Sequence, residues 1–263
     1  MDLKLKNRIV LVTGGSDGLG KGIAKQYAEE GAIVWISSRN ENKLQAAQQE
    51  IIEQTANEQV FYQVCNMRDG EAIEGLMNAI ITKHDRIDVL INNAGGPPSG
   101  PFLEMDDDAW QGAFEQNLLS AVRTCRLAIP YMQKQGGGRI VNLTSSSIKQ
   151  AIDSLVLSNS IRPGVYGLTK TLAREFAKDN ILVNTVGAGK IGTARMQSLN
   201  ESRAEKTGVS FEEVENEMVA SIPLGRYGTP EEFAQAVVFF GSFSNTYITG
   251  QAMLIDGGSV AAL

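Results

Sequence analysis

The chain has 263 residues, with 24 basic and 30 acidic side chains and a formal net charge of −6. Such an acidic balance offers little to a nucleic-acid backbone, and 21% charged with 43% hydrophobic residues is ordinary globular usage. The single histidine, His84, precedes a predicted strand. With one histidine, neither a His-ligated zinc centre nor a Ser-His-Asp hydrolase site is expected, and we expect no metal. We interpret His84 as a surface residue at a helix end.

The amino terminus passes from alternating charged and apolar residues directly into Ile9-Val10-Leu11-Val12, a pattern that predicts no signal peptide. No apolar window approaches the length of a membrane span, so we expect no membrane partner. Cys65 falls in a predicted strand and Cys125 in a predicted helix, where buried thiols are the ordinary interpretation. We expect a reducing, cytoplasmic setting.

Short β-branched runs alternate along the chain with longer segments of helical periodicity. The predicted strands are residues 8–13, 33–37, 59–65, 87–91, 138–144, 181–186 and 252–255. The predicted helices lie near residues 18–30, 41–54, 69–84, 106–135, 160–179 and 230–241. Each helix is long enough for a right-handed crossover between parallel strands. The alternation predicts an α/β fold, with one doubly wound parallel sheet of about seven strands and helices on both faces.

A glycine-rich turn joins the first strand to the first helix. It reads Thr13-Gly14-Gly15-Ser16-Asp17-Gly18-Leu19-Gly20. Glycines also make ordinary turns, but here a strand precedes and a helix follows, which is the context of a dinucleotide fingerprint. The helix amino terminus can then donate amides to phosphates.

The spacing of this turn, together with Asn92-Asn93-Ala94-Gly95 after the fourth strand, resembles the short-chain dehydrogenase/reductase family. The carboxyl-terminal segments Pro223–Glu232 and Asp256-Gly257-Gly258 are also similar, so the resemblance covers essentially the whole chain. It implies one Rossmann-like domain over 1–263, with a cofactor half near 1–100 and an active-site and substrate half near 101–263. It also implies a homotetramer, or failing that a homodimer, paired through the long helices.

The end of the second strand predicts the cofactor. Ser38 stands where NAD-using relatives carry an acidic residue, and Ser37, Ser38 and Arg39 offer two hydroxyls and a guanidinium to a 2′-phosphate. We therefore expect NADP(H) to be preferred, with NAD(H) as the alternative. Asp17 counts against this, because NADP-specific relatives resemble one another in carrying a basic residue there. The resemblance also places the following residues at the cofactor: Gly14, Ser16, Asp17, Gly18, Leu19, Gly20, Asn66, Met67, Asn93, Ala94, Gly95, Arg162, Gly189, Ile191 and Thr193.

The resemblance implies an unusual reaction centre. Matching the helix that runs to Val183-Asn184 puts Ser158 at the family's catalytic tyrosine and Arg162 at its catalytic lysine. Ser145 resembles the strand-end serine and Asn117 the active-site asparagine. A serine hydroxyl has no accessible ionisation, and a guanidinium does not lose its proton.

A Tyr-x-x-x-Lys sequence does occur, at Tyr166 to Lys170, but two turns too late. Eight helical residues put Tyr166 about 12 Å along the axis and about 80° around from Ser158, which predicts a packing role. Pro163 suits a first helical turn and would leave 158–162 as loop if the helix began there.

Two functions remain open at this point. In the first, the chain is an NADP(H)-dependent oxidoreductase that acts on a carbonyl or an alcohol. A 3-oxoacyl compound is one candidate substrate. Ser145 polarises the carbonyl, and Lys149, Tyr166 or a water held by Asn117 handles the proton. The substrate is then a small molecule or an acyl carrier. In the second, the chain binds the cofactor with little catalysis, as a redox sensor or an oligomer partner.

Overall fold

The computed structural model describes residues 1–262 and contains one seven-stranded parallel sheet, in the order β3-β2-β1-β4-β5-β6-β7. Its strands are β1 (Ile9–Thr13), β2 (Ile33–Ser38), β3 (Val60–Val64), β4 (Val89–Asn92), β5 (Gly138–Ser145), β6 (Ile181–Ala188) and β7 (Ala252–Ile255). The strand order reverses between β1 and β4. The doubly wound fold predicted from the alternation is confirmed.

The sheet is buried on both faces, as parallel sheets are. Every residue of β1 is buried, and its side chains alternate between two apolar clusters. Val10 and Val12 pack in the cluster that α1, α2 and α9 cover, whereas Ile9 and Leu11 pack toward α3 and α5. β-branched residues favour this pleated, two-sided burial.

Nine α-helices are found among the described residues. They are α1 (Gly18–Glu29), α2 (Glu41–Thr55), α3 (Gly70–His84), α4 (Asp107–Phe114), α5 (Ser120–Lys134), α6 (Val156–Glu175), α7 (Ala194–Thr207), α8 (Phe211–Ala220) and α9 (Pro230–Phe240). The sequence analysis missed α7 and α8. Asn200 is the only buried residue of α7, so that helix lacks the apolar stripe on which such predictions depend. The capping box of Ser210 and Glu213 was an available signal for α8.

Two predicted helices differ in their bounds. The one placed at 106–135 is α4 and α5 joined by a turn of π-helix, Glu115–Leu119. The one placed at 160–179 begins earlier, at Val156, and ends at Glu175. Pro163 therefore lies inside α6 and does not start it. Burial of Leu157 and Ser158 in the first turn anchors the early start and offsets the hydrogen bond that proline cannot make.

The surroundings of the two cysteines and of the histidine indicate that these side chains have structural roles. Both thiols are free and buried, although Cys65 lies just past β3 and not inside it. Burial raises the pKa of Cys65 to about 11 and that of Cys125 to about 12. His84 ends α3, where its Nε2 accepts a hydrogen bond from Trp35 Nε1 at 3.1 Å.

Residues 1–262 contain no helix that is long and apolar enough to cross a membrane, and no group of three or more His, Cys, Asp or Glu side chains that could hold a metal ion.

Candidate active site

A cavity of about 850 Å³ lies at the carboxyl ends of the strands, where parallel α/β sheets place their ligands. Ser38, Arg39 and Asn66 line one end, and Ser145, Ser158 and Met218 line the other. With the exception of Ser37, the residues predicted at the cofactor line this one cavity: Gly14, Ser16, Asp17, Gly18, Leu19, Gly20, Ser38, Arg39, Asn66, Met67, Asn93, Ala94, Gly95, Arg162, Gly189, Ile191 and Thr193.

The glycine-rich turn forms a narrow cradle at the start of α1. Gly14 has φ +60°, and a Cβ on Gly20 would overlap the Gly14 carbonyl oxygen, so neither position has room for a side chain. Asn93 ties the turn to β4, since its Nδ2 donates to the Gly14 carbonyl at 3.1 Å and its backbone amide donates to Thr13 Oγ1 at 2.9 Å. The cradle leaves the first amides of α1 facing an open trough.

One of the hydroxyls predicted to face a 2′-phosphate does not do so. Ser37 is fully buried in β2 and its Oγ has no hydrogen-bond partner, because side chains alternate along a strand. Ser38 is half-buried and Arg39 exposed, and both line the cavity. The phosphate-facing set is therefore one hydroxyl and one guanidinium.

Asp17 caps α1, accepting from the Gly18 amide at 2.7 Å, and pairs with Lys43 of α2 at 3.2 Å. Partial burial is the largest single influence and raises the pKa of Asp17, but the hydrogen bonds from Lys43 and the Gly18 amide, with the charges of Lys43 and Lys21, together outweigh it, so the net pKa is lowered. Lys43 thus neutralises the carboxylate that argued against NADP(H). Sequence analysis missed Lys43, because the pair joins residues 26 positions apart.

A serine cluster lies at the other end of the cavity. Ser145 ends β5, and its Oγ accepts from the Ser147 amide at 3.2 Å. Ser158, in the first turn of α6, is 5% exposed, with its Oγ 3.1 Å from the Ser147 Oγ. Because Ser145 accepts this bond, its own hydroxyl proton is free to donate toward the cavity.

Two guanidiniums line the cavity near this cluster. Arg162 lies one turn after Ser158; its Nη1 donates to the Leu143 carbonyl at 3.3 Å, while its buried Nε has no partner. Arg195, in the first turn of α7, donates from Nη2 to the Pro97 carbonyl at 2.8 Å. Burial, and then the charge of Arg195, lower the pKa of Arg162 to about 10. Sequence analysis missed Arg195, although it follows the predicted cofactor residue Thr193 by only two positions.

Asn117 sits in the π-helical turn, a feature frequent at functional sites. Its Nδ2 donates to the Ala113 carbonyl at 3.2 Å. Asn117 lines a separate cavity of about 10 Å³, room for about one water, and not the large cavity. Asn93, Ala94 and Leu143 line both cavities, so the small one adjoins the large one.

The remaining catalytic candidates lie elsewhere. Within residues 1–262 the lining of the large cavity includes none of Tyr166, Lys170 and Lys149. The Lys170 Nζ stands 5.4 Å from the centre of the Tyr166 ring, and eight helical residues put Tyr166 about 12 Å along α6 from Ser158. The structure therefore places Lys149 and Tyr166 outside the cavity lining, and their role in proton transfer stays a prediction.

Buried side chains connect the strands beneath the site. Thr124 Oγ1 donates to Asn92 Oδ1 at 2.6 Å, and Asn92 Nδ2 donates to Asn142 Oδ1 at 2.8 Å. Asn142 Nδ2 then donates to Thr169 Oγ1, which lies 2.8 Å from Thr185 Oγ1. Satisfied networks of this kind fix a core rigidly, so β4, β5, β6 and α6 hold the site together.

The mouth of the cavity has walls from three segments. Asn159 clamps the loop before α6, accepting from the Ile152 amide at 3.1 Å and donating to its carbonyl at 2.8 Å. That loop pairs with the loop after β4, where the Gly100 amide donates to the Ser154 carbonyl at 2.7 Å. The third wall is formed by α7 and α8 and contributes Met218 to the lining. Arg195 connects this wall to the loop after β4 through its hydrogen bond to Pro97.

The sheet is doubly wound, and the glycine-rich turn that opens α1 lies where the strand order reverses. These two features together define a dinucleotide-binding α/β protein. A family model described as enoyl-(acyl carrier protein) reductase matches residues 14–260. The chain is 34% identical to the 3-oxoacyl-[acyl-carrier-protein] reductase FabG of Chlamydia trachomatis serovar D, over 97% of this chain and 98% of that one. It is also 34% identical to the FabG of Thermotoga maritima, over 98% and 100%.

Solved structures agree with these relatives. The chain matches an actinorhodin polyketide ketoreductase variant with NADPH at a TM-score of 0.92 and 32% identity, covering 96% of this chain and 97% of that one. It matches the L-sorbose reductase of Gluconobacter frateurii, complexed with NADPH and L-sorbose, at 0.94 and 28%, covering 100% of both. The chain therefore belongs to the short-chain dehydrogenase/reductase family of oxidoreductases.

Proposed function

We propose that the protein is an NADP(H)-dependent oxidoreductase that interconverts a carbonyl and an alcohol, with Ser158 and Arg162 in place of the family's tyrosine and lysine. The observation that carries this is the single cavity of about 850 Å³, which brings the predicted cofactor residues together with Ser145, Ser158 and Arg162. The NADPH-bound ketoreductase and sorbose reductase support the choice of cofactor.

The residues present fit that cofactor. The cradle at Gly14 and Gly20 has no room for a Cβ, as a site for a pyrophosphate needs, and the α1 amides face the trough. Ser38 and Arg39 suit the 2′-phosphate, and the free Nε of Arg162 suits a ribose hydroxyl. When bound, NADPH supplies the hydride.

The chain's own groups polarise the substrate. The Ser145 hydroxyl, whose proton is free, donates to the carbonyl oxygen, and the guanidinium of Arg162 stabilises the negative charge that develops there. No tyrosine or histidine lines the cavity within the described residues, and we propose that the oxygen takes its proton from water, which the small cavity at Asn117 has room to hold. Loss of a general acid typically costs about 10² to 10⁴ in rate, so we expect slow turnover.

The second candidate, a cofactor-binding protein with little catalysis, is favoured by one observation. Ser158 is buried, and its hydroxyl is hydrogen-bonded to the hydroxyl of Ser147. The position at which relatives transfer a proton is therefore occupied by a serine that already has a partner. Under this candidate NADPH binds but its oxidation is negligible with every carbonyl offered.

The test measures NADPH oxidation with a panel of small ketones and 3-oxoacyl thioesters. Ser145→Ala should lower the rate at least about tenfold, as loss of an oxyanion-type donor does. Tyr166→Phe is the matched control and should leave the rate nearly intact, because the phenol lies off the cavity. Tight NADPH binding without oxidation would favour the second candidate. Abolition by Tyr166→Phe alone, with folding and NADPH binding preserved, would show that the site uses Tyr166 and Lys170.

The partners and setting remain proposals. The FabG relatives support either an acyl-carrier substrate or a small oxo compound. We propose a homotetramer, or failing that a dimer, formed through α5 and α6, and light scattering at micromolar concentration would contradict it by giving a monomer. Two free cysteines suit a reducing cytoplasm, which we retain as the proposed location.

A further inference from the structure

Two cationic side chains near the serine cluster have no anionic partner. Within residues 1–262 no carboxylate pairs with Arg162 or Arg195. Arg162 makes one hydrogen bond to a backbone carbonyl and keeps a buried Nε free; Arg195 makes one as well. Arg162 is half-buried and Arg195 is exposed, yet Arg195 lies close enough to lower the pKa of Arg162. Two guanidiniums that repel each other in one cavity, with no carboxylate paired to either, indicate an anion that binds there.

The other charges at this end do not fill that role. Asp153 lines the cavity but is exposed at its mouth, and Lys190 adds a third positive charge, with its Nζ bonded to the Ser221 hydroxyl. Burial, and then the charge of Arg203, lower the pKa of Lys190, and burial lowers the pKa of Arg195.

The contacts of the Arg195 side chain are with the loop after β4, although Thr193, two residues earlier, lies against Gly18 of the glycine-rich turn. Its Nε and Nη2 lie 3.6 Å from where a Cβ on Gly96 would stand, and it bonds to Pro97, so its guanidinium is past the end of β4 and close enough to Arg162 to affect that residue's charge. The predicted pyrophosphate cradle is at the α1 amino terminus, and the predicted 2′-phosphate site is at Arg39, at the opposite end of the cavity.

We infer that the substrate is a short 2-oxo or 3-oxo acid whose carboxylate is held by Arg195, with Arg162 beside the reacting carbonyl. This rests on the proposed carbonyl reduction and narrows its substrate class. A carboxylate one or two bonds from the carbonyl carbon suits a guanidinium fork. A 3-oxoacyl thioester is neutral at that position and would leave Arg195 unpaired.

The first experiment compares acids with their own esters as substrates. Pyruvate is set against methyl pyruvate, and acetoacetate against methyl acetoacetate, with NADPH. The wild-type kcat/KM should be about tenfold or more higher for the acid, as a charge-assisted hydrogen bond predicts, although the ester carbonyl is intrinsically more reactive. An ester equal to or better than its acid would overturn the inference and leave the oxidoreductase proposal intact.

Variants assign the effect to Arg195. Arg195→Met should lower the acid-to-ester ratio of kcat/KM about tenfold or more, and Arg195→Lys should recover part of it. The matched control is Arg174→Met, since Arg174 is exposed at the far end of α6, and it should not change the ratio. An unchanged ratio in Arg195→Met would overturn the inference. So would a loss of NADPH affinity as large as the loss of selectivity, because Arg195 would then serve the cofactor.

A binding measurement makes the test independent of turnover. In calorimetry of the NADP⁺ complex, the unreactive acid oxamate should bind about tenfold or more tightly than its neutral ethyl ester, and Arg195→Met should remove the difference. Equal affinities would overturn the anion site. If oxamate binds through Arg195 while no carbonyl of any kind is reduced, the anion site stands and the proposed oxidoreductase function fails.

Discussion

The amino edge and the carboxyl edge of the sheet treat buried charge in opposite ways. At the amino edge, Asp88 is completely buried, and its carboxylate accepts from the Ile9 amide and pairs with Arg8 and Arg86. Arg139, 2% exposed, donates to three backbone carbonyls there. Every buried charge of that edge has several partners.

The carboxyl edge leaves its charges and hydroxyls incompletely bonded. Arg162 has an unpartnered Nε and Thr144 an unpartnered Oγ1, and no carboxylate answers Arg195 within the described chain. A cluster that stabilises the fold is satisfied by the fold itself, whereas a binding site keeps donors for its ligands. Tyr27 Oη and Gln135 Oε1 are unpartnered at the amino edge, so it is the pairing of charges that marks the carboxyl edge as the binding edge.

The largest expected effect breaks the amino edge. Asp88→Ala strands Arg8 and Arg86 and leaves the Ile9 amide without its acceptor, so the free energy of unfolding should fall by about 3–5 kcal/mol. Urea denaturation measures it. Glu50→Ala, which removes an exposed pair with Lys21, is the control and should change stability by less than about 1 kcal/mol. Equal effects of the two variants would contradict the distinction.

Binding energy at the carboxyl edge gives the next effect. Arg39→Ala should weaken NADPH by about 1.5–3 kcal/mol, the worth of a hydrogen bond to a charged group, and leave NADH unchanged. Titrations of both cofactors measure it, and NADH is the internal control. A wild-type protein that binds the two equally, or a variant that loses both, would refute the role given to Arg39.

Two matched variants sharpen the comparison directly. Arg139→Met leaves backbone carbonyls unsatisfied and should cost about 1–3 kcal/mol of stability. Arg162→Met removes a guanidinium with one long hydrogen bond, so stability should be unchanged or rise by about 1 kcal/mol. Thermal and urea unfolding of the pair decide it; similar losses in both would mean that Arg162 is structural.

The smallest expected signal is the reactivity of the thiols. Burial raises the pKa of Cys65 and of Cys125 above that of an ordinary thiol, so thiolate is scarce in the native protein below pH 8. Neither should react with Ellman's reagent before unfolding, and both should react in urea. Rapid native labelling of Cys65, which lines the cavity, would show that the trough opens beyond its described shape.

The fold could be predicted because its signals are local. β-branched runs, helical periodicity and the turn from Thr13 to Gly20 each depend on neighbouring residues, and the parallel sheet follows from their alternation. Where the structure departs from the predicted bounds of an element, the cause is long-range packing. Pro163 reads as a helix start, yet burial of residues two turns earlier draws α6 back to Val156.

The residues of the candidate site also divide into those that local motifs predict and those whose role depends on long-range contacts. Cofactor positions follow motifs, so they could be named from sequence and they line the cavity. Lys43 and Arg195 could not, because their meaning depends on Asp17 and Pro97, which lie 26 and 98 positions away along the chain. Ser37 and Ser38 are adjacent in sequence, and only the strand's alternation separates the buried hydroxyl from the accessible one.

The three walls of the mouth are not attached with equal strength. The loops on either side of Gly100 and Ser154 are joined by backbone hydrogen bonds and by the two-sided clamp of Asn159. The wall of α7 and α8 reaches the loop after β4 through one guanidinium, Arg195, and reaches Glu104 through the exposed Lys206 at 3.5 Å. Exposed ion pairs weaken as salt is added. The helical wall is therefore the one that added salt should loosen, and we expect the rate of product release to rise with ionic strength.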